Sequence, residues 1–178
     1  MSILPKYGLL QYRNSVRVYT KPIDESLVLF KEETKAHKVS IFLLHKPDQL
    51  EELDSAINFL NNFRVMIYVD WLDQVLEDDK GEAITNLITE KLSENQKFIF
   101  LATEEAIHSK WCNWVLRLAK TKIPTEAIVM LPIRSDFDDY GGEEHLSKYP
   151  YIHEIEAEKY GVKYPNGDIK ELTEWMNS

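Results

Sequence analysis

Apolar positions along the chain follow two alternating rhythms. Val39-Ser-Ile-Phe-Leu-Leu44 is a short, partly β-branched apolar run and predicts a buried strand. Leu50, Leu53, Ile57 and Leu60 then recur at steps of 3, 4 and 3, which predicts an amphipathic helix with Asp48 as its N-cap. Arg64-Val-Met-Ile-Tyr-Val69 predicts a second strand, and Ile84, Leu87, Ile88 and Leu92 a second helix. Lys97–Ala102 predicts a third strand. A helix over Glu104–Lys120 follows, with Trp111, Trp114, Val115 and Leu118 on one face. Ala127–Leu131 predicts a fourth strand, closed by Pro132, and a fifth is expected within residues 150–164. Nearly continuous apolar strands separated by helices predict an α/β fold: a flavodoxin-like, doubly wound parallel sheet covered on both faces, with strand order 2-1-3-4-5.

The flanks are less regular. Residues 1–37 read as an N-terminal extension with a short strand at Ser15–Tyr19 and a helix at Asp24–Thr34. The domain proper spans residues 38–178. Residues 70–80 carry Glu77-Asp-Asp79 and predict an exposed loop, and residues 134–149 a surface loop rich in acids and glycine. Tyr164-Pro-Asn-Gly-Asp168 predicts a turn, with Asp168 capping a last helix to Met176.

Composition narrows the function classes. The chain has 178 residues, enough for one domain that buries roughly 70% of its unfolded surface without a staple. Its single cysteine, Cys112, excludes an internal disulfide and a cysteine metal cage, and fits a cytoplasmic, reducing compartment. No apolar run approaches the roughly 18 residues that span a bilayer, so no membrane partner is expected. A net charge of −9 argues against nucleic acid. With six glycines and neither G-x-G-x-x-G nor G-x-x-x-x-G-K-[ST], a phosphate-cradling loop is not expected. No H-E-x-x-H or paired-cysteine motif points to a metal. Chemistry is therefore sought at the carboxyl ends of the strands, the usual crevice of an open α/β sheet.

Three segments lie there: Phe42-Leu-Leu-His45, Tyr68-Val-Asp-Trp-Leu-Asp73, and Ala102-Thr-Glu-Glu-Ala-Ile-His-Ser-Lys-Trp-Cys-Asn-Trp114. With the tail segments Tyr149-Pro-Tyr-Ile152 and Tyr164–Trp175, their order resembles the bacterial branch of the Toll/interleukin-1 receptor (TIR) family over residues 38–178. The resemblance implies a fold of the kind above and a pocket built from His45, Asp70, Trp71, Asp73, Ser109 and Trp111. It also implies an activity, cleavage of NAD between nicotinamide and ribose, and an NAD or ADP-ribose-type ligand with no required cofactor. That reaction needs a carboxylate beside the ribose to stabilise an oxocarbenium-like transition state. The resemblance puts this carboxylate directly after the second tryptophan, where the chain has Val115. The serines that flank the family's histidine are replaced by Leu44 and Lys46.

The leading expectation is thus a TIR-type signalling or assembly module that has lost NAD hydrolysis. The resemblance implies bacterial defence or host interaction, with protein partners or self-association through residues 70–80. One alternative is an active NAD hydrolase or cyclase using Glu104, Glu105 or Asp70 as a displaced carboxylate. Another is a nucleoside deoxyribosyltransferase-like enzyme. Each residue also has a plain reading. His45 fits a hydrogen-bonded structural histidine, Trp71 core packing, and Trp111, Trp114 and Val115 a buried helix face. Cys112 lacks the histidine companion of a thiol nucleophile.

Overall fold

The computed structural model describes residues 2–13, 39–69 and 81–178. Strand β1 (Leu4–Pro5) leads into helix α1 (Lys6–Leu10). Strand β2 (Val39–Leu44), helix α2 (Leu50–Asn61) and strand β3 (Val65–Val69) follow. Helix α3 (Glu82–Glu94) and strand β4 (Lys97–Thr103) come next, then helices α4 (Glu104–His108) and α5 (Lys110–Lys122). Strand β5 (Ile128–Arg134), helix α6 (Glu143–Leu146), strands β6 (Tyr151–Glu156), β7 (Lys159–Lys163) and β8 (Ile169–Glu171), and helix α7 (Leu172–Met176) complete the order.

The sheet runs β3-β2-β4-β5-β6-β7-β8. Its first five strands pair in parallel in the expected 2-1-3-4-5 order, with β2 in the interior. Strands β7 and β8 extend it antiparallel, and β1 pairs in parallel with the end of β5. Side chains alternate along each strand, so each strand feeds two cores. Ile41, Leu43, Ile99, Leu101, Val129 and Leu131 join α2 and α7 on one face. Phe42, Leu44, Phe98, Phe100 and Met130 join α3 and α5 on the other. Burial on both faces is why these strands read as continuous apolar runs.

Several boundaries depart from the sequence pattern for local reasons. Asp48 does not cap α2; it pairs with Lys46, and Gln49 holds the cap position without a side-chain bond to the helix amides. Arg64 has φ 56°, a left-handed conformation incompatible with a strand, so β3 starts at Val65. The expected helix over 104–120 is two helices broken at Ser109. The buried face of α5 is Trp111, Cys112, Val115, Leu116 and Ala119, with Trp114 and Leu118 only half-buried at its margin. Pro132 does not end its strand. It falls between the pairing of Met130 with β6 and that of Ile133 with β1, where a missing N–H is tolerated.

Residues 150–164 form the β6–β7 hairpin, of which only β6 joins β5. The acidic loop before Tyr149 contains α6 and buries Tyr140. The turn at 164–168 is present: Gly167 N–H donates to the Tyr164 carbonyl at 2.9 Å, with Gly167 at φ 95°. Asp168 leads into β8 rather than capping α7, whose N-cap is Glu171. The expected strand at 15–19, helix at 24–34 and loop at 70–80 lie outside the described residues. No helix among the described residues is long and apolar enough to cross a membrane.

Candidate functional site

The carboxyl ends of β2, β4 and β5 converge on one side of the sheet, where the strand order reverses between β2 and β4. Thr103 closes β4 and starts α4. Its hydroxyl accepts the Ala106 N–H at 3.1 Å, satisfying one of the free amides of the helix start. The same hydroxyl donates to Gln49 Oε1 at 2.6 Å, joining the segment after β4 to the segment after β2. A cleft of about 140 Å³ opens beside this bond, lined by Lys6, Glu52, Glu104, Glu105 and Arg134 among others. That volume is below the roughly 300 Å³ of a typical small-molecule site.

Charges around the cleft are largely matched. Lys6 Nζ lies 2.7 Å from Glu52 Oε1, and that bond raises the lysine pKa against the opposing effect of burial. Lys46 bonds Asp48 and lies 3.4 Å from Glu105, which likewise raises its pKa. Arg134 donates to the Ser135 carbonyl at 3.1 Å. Glu104 faces the loop after β5, where a Cβ built on Gly141 would stand 3.9 Å from its Oε1. Burial, with a smaller contribution from the Glu104 charge, pushes the Tyr140 phenol well above its ordinary pKa and keeps it protonated.

Deeper along α5 the surroundings are apolar. His45 is 2% exposed, and burial lowers its pKa to about 4 against the opposing pull of Asp48. Its imidazole is therefore neutral near pH 7. The His45 carbonyl accepts from Cys112 Sγ at 3.5 Å. Ser109 stands between α4 and α5, its Oγ accepting the Cys112 N–H at 3.3 Å. Trp111 is 5% exposed, its ring centroid 5.1 Å from that of Trp114. Val115 and Leu44 lie in the same apolar cluster, Val115 with no exposed surface. Among the described residues, the buried Trp111 Nε1 and Tyr140 hydroxyl have no hydrogen-bond partner.

Of the pocket residues expected from the sequence, His45, Ser109 and Trp111 thus gather around Cys112 and the start of α5. Asp70, Trp71 and Asp73 lie outside the described residues. Sequence reasoning missed Gln49, Thr103, Arg134 and Lys6. Thr103 carried a usable signal, a threonine before two acids at a strand-to-helix junction. Lys6 and Arg134 carried none, because only the pairing of β1 with β5 brings them to this edge.

No family model matches the chain. It is similar to a protein named probable 3' cyclic ADP-D-ribose synthase ThsB' from Bacillus cereus (strain MSX-D12). The two are 26% identical over 126 residues, covering 69% of this chain and 65% of that relative. The chain therefore spans just under two thirds of the relative's length.

Proposed function

We propose that the chain is a TIR-type signalling or assembly module. It retains the family scaffold, takes an ADP-ribose-type nucleotide or a protein partner as ligand, and has lost NAD cleavage. The motif order in the sequence, the 2-1-3-4-5 sheet and a relative named for cyclic ADP-ribose synthesis support the class. The observation that carries the loss of chemistry is Val115. At the position where the resemblance expects a carboxylate, the side chain is apolar, fully buried and packed in the cluster between sheet and α5. It offers no charge to an oxocarbenium-like transition state, and removing one well-placed electrostatic group commonly costs on the order of 100- to 1000-fold in rate. Leu44, buried in the same cluster, removes a hydroxyl that would line a ribose pocket. A role in bacterial defence or host interaction belongs to this reading.

The test is incubation of the full chain with excess NAD and chromatography of the products. Nicotinamide, ADP-ribose and cyclic ADP-ribose are expected to stay at the level of a no-protein control. Robust turnover would overturn the loss of chemistry.

One observation favours a second reading, an active hydrolase or cyclase. Glu104 lines the strand-end cleft beside Thr103 and Arg134, so a carboxylate is available a short distance along the chain from the family position. Glu105 is exposed and drawn toward Lys46, which makes it the weaker candidate. Turnover abolished by Glu104→Gln would identify Glu104 as the displaced carboxylate.

A further inference from the structure

A second groove, of about 280 Å³, opens on the outer flank of α5, facing α6 and the residues after it. It shares no lining residue with the strand-end cleft. Arg117 projects from α5, while His145 and Lys148 come from the segment opposite. The buried Leu116 and Tyr149 form its apolar part. Lys120 Nζ adds a further cation, 5.3 Å from the centroid of the Tyr149 ring. This concentration of cationic groups runs against the chain's net charge of −9.

Two of the three groups are uncommitted. Among the described residues, neither the Arg117 guanidinium nor the His145 imidazole has a hydrogen-bond or ion-pair partner. Lys148 bonds Glu144, but both side chains are mostly exposed, at 60% and 78%, and such a pair contributes little. Among the described residues, Glu144 is the one carboxylate lining the groove, and its exposure lets it turn to water when Lys148 takes another partner. Asn113 is a wall and not a donor, since its amide nitrogen already serves the carbonyls of Ile107 and Ser109.

An arginine fork, a lysine point charge and an imidazole are complementary to an oxyanion, and an arginine fork in particular to a phosphoryl group. Donors approaching from both walls suit the three outward oxygens of a phosphoryl group, whereas a carboxylate presents only two, both engaged by one arginine fork on one side. We propose that this groove binds the phosphoryl group of a small phosphorylated anion, held between Arg117, His145 and Lys148. The proposal is independent of what the strand-end cleft does.

Binding has a built-in reporter. Burial holds the His145 pKa below the ordinary histidine value; the Glu144 charge raises it, and Lys148 and His108 lower it. An anion in the groove favours the imidazolium and moves the titration upward. The test is an imidazole NMR titration of the full chain with inorganic phosphate and with pyrophosphate, at ionic strength held constant with sodium chloride. His145→Gln identifies the signal.

The expected result is a saturable response with the His145 midpoint raised by about one pH unit. Arg117→Gln and Lys148→Gln should each weaken apparent affinity about tenfold. Both are surface positions, and the same spectra report whether the fold is kept. Saturation by both probes means that a single phosphoryl group suffices; saturation by pyrophosphate alone means that a diphosphate is required. A response to neither probe at millimolar concentration, or an affinity unchanged in Arg117→Gln, overturns the proposal.

Discussion

His45 directly follows β2 and is hidden from solvent, and its neutral state is part of the fold's stability. Burial lowers its pKa from an ordinary value near 6.5 to about 4. Between those values the unfolded chain binds a proton that the folded chain refuses, so stability is full above pH 6.5 and falls as pH drops toward 4. This residue alone is expected to cost about 2 kcal/mol between pH 7 and pH 5. Burial lowers His145 and His153 too, so they act in the same direction. Denaturant unfolding at the two pH values checks this, with a shallower pH dependence in His45→Gln. A pH dependence as steep in that variant as in the parent would assign the effect to other groups. Val115 is the complementary case, a fully buried side chain in the apolar cluster between the sheet and α5. Val115→Glu is expected to lose on the order of 3 kcal/mol or more, or to hold its new carboxyl protonated, with no gain in NAD cleavage. A well-folded variant that turned over NAD would instead place position 115 at the crevice.

The break between α4 and α5 depends on one residue. Ser109 leaves helical geometry, with ψ at 126°, and its side chain starts the next helix by accepting the Cys112 amide. Asn113 reinforces the corner by donating to the carbonyls of Ile107 and Ser109 at 2.8 and 2.9 Å. A serine followed by Lys-Trp-Cys-Asn looks like helix interior in an apolar periodicity, which is why the sequence pattern ran the two helices together. Loss of the cap in Ser109→Ala should lower unfolding free energy by about 1 kcal/mol, and Ser109→Gly by roughly a few tenths. Urea unfolding of the two variants measures the difference. Equal stability of Ser109→Ala and the parent would mean that Asn113 holds the corner by itself.

The assembled molecule places the cleft where three distant segments meet. Lys6, Gln49 and Arg134 come from β1–α1, the loop after β2 and the end of β5, and all line it. Tyr7 N–H donates to Asp136 Oδ1 at 2.7 Å, and buried Leu9 belongs to the core beneath α2. The β1–α1 segment is thus built into the edge of the site. The partner of the whole molecule is a proposal resting on the family resemblance: self-association through residues 70–80. Replacing Glu77, Asp78 and Asp79 by alanine is expected to change the mass measured by light scattering at a given concentration, because three like charges at a contact govern how closely two copies approach. An unchanged mass distribution would remove this loop from the contact.

The sequence by itself determined the fold class, because strands buried on both faces must read as apolar runs and the helices covering them must repeat every three or four residues. It therefore located β2, α2, β4 and α3 within a residue or two, and placed β2 in the sheet's interior. The family resemblance pointed to Val115, the position at which it implies a carboxylate. Only the tertiary structure decided what surrounds that valine, which face of α5 is buried, and that Asp48 serves Lys46 instead of a helix end. It alone brought Thr103 to Gln49 and Arg117 opposite His145. The physical reason is range. Periodicity records which side of an element faces the core, a property of neighbours three or four residues apart, whereas a site joins groups up to about 130 residues apart in sequence, as Lys6 and Arg134 are.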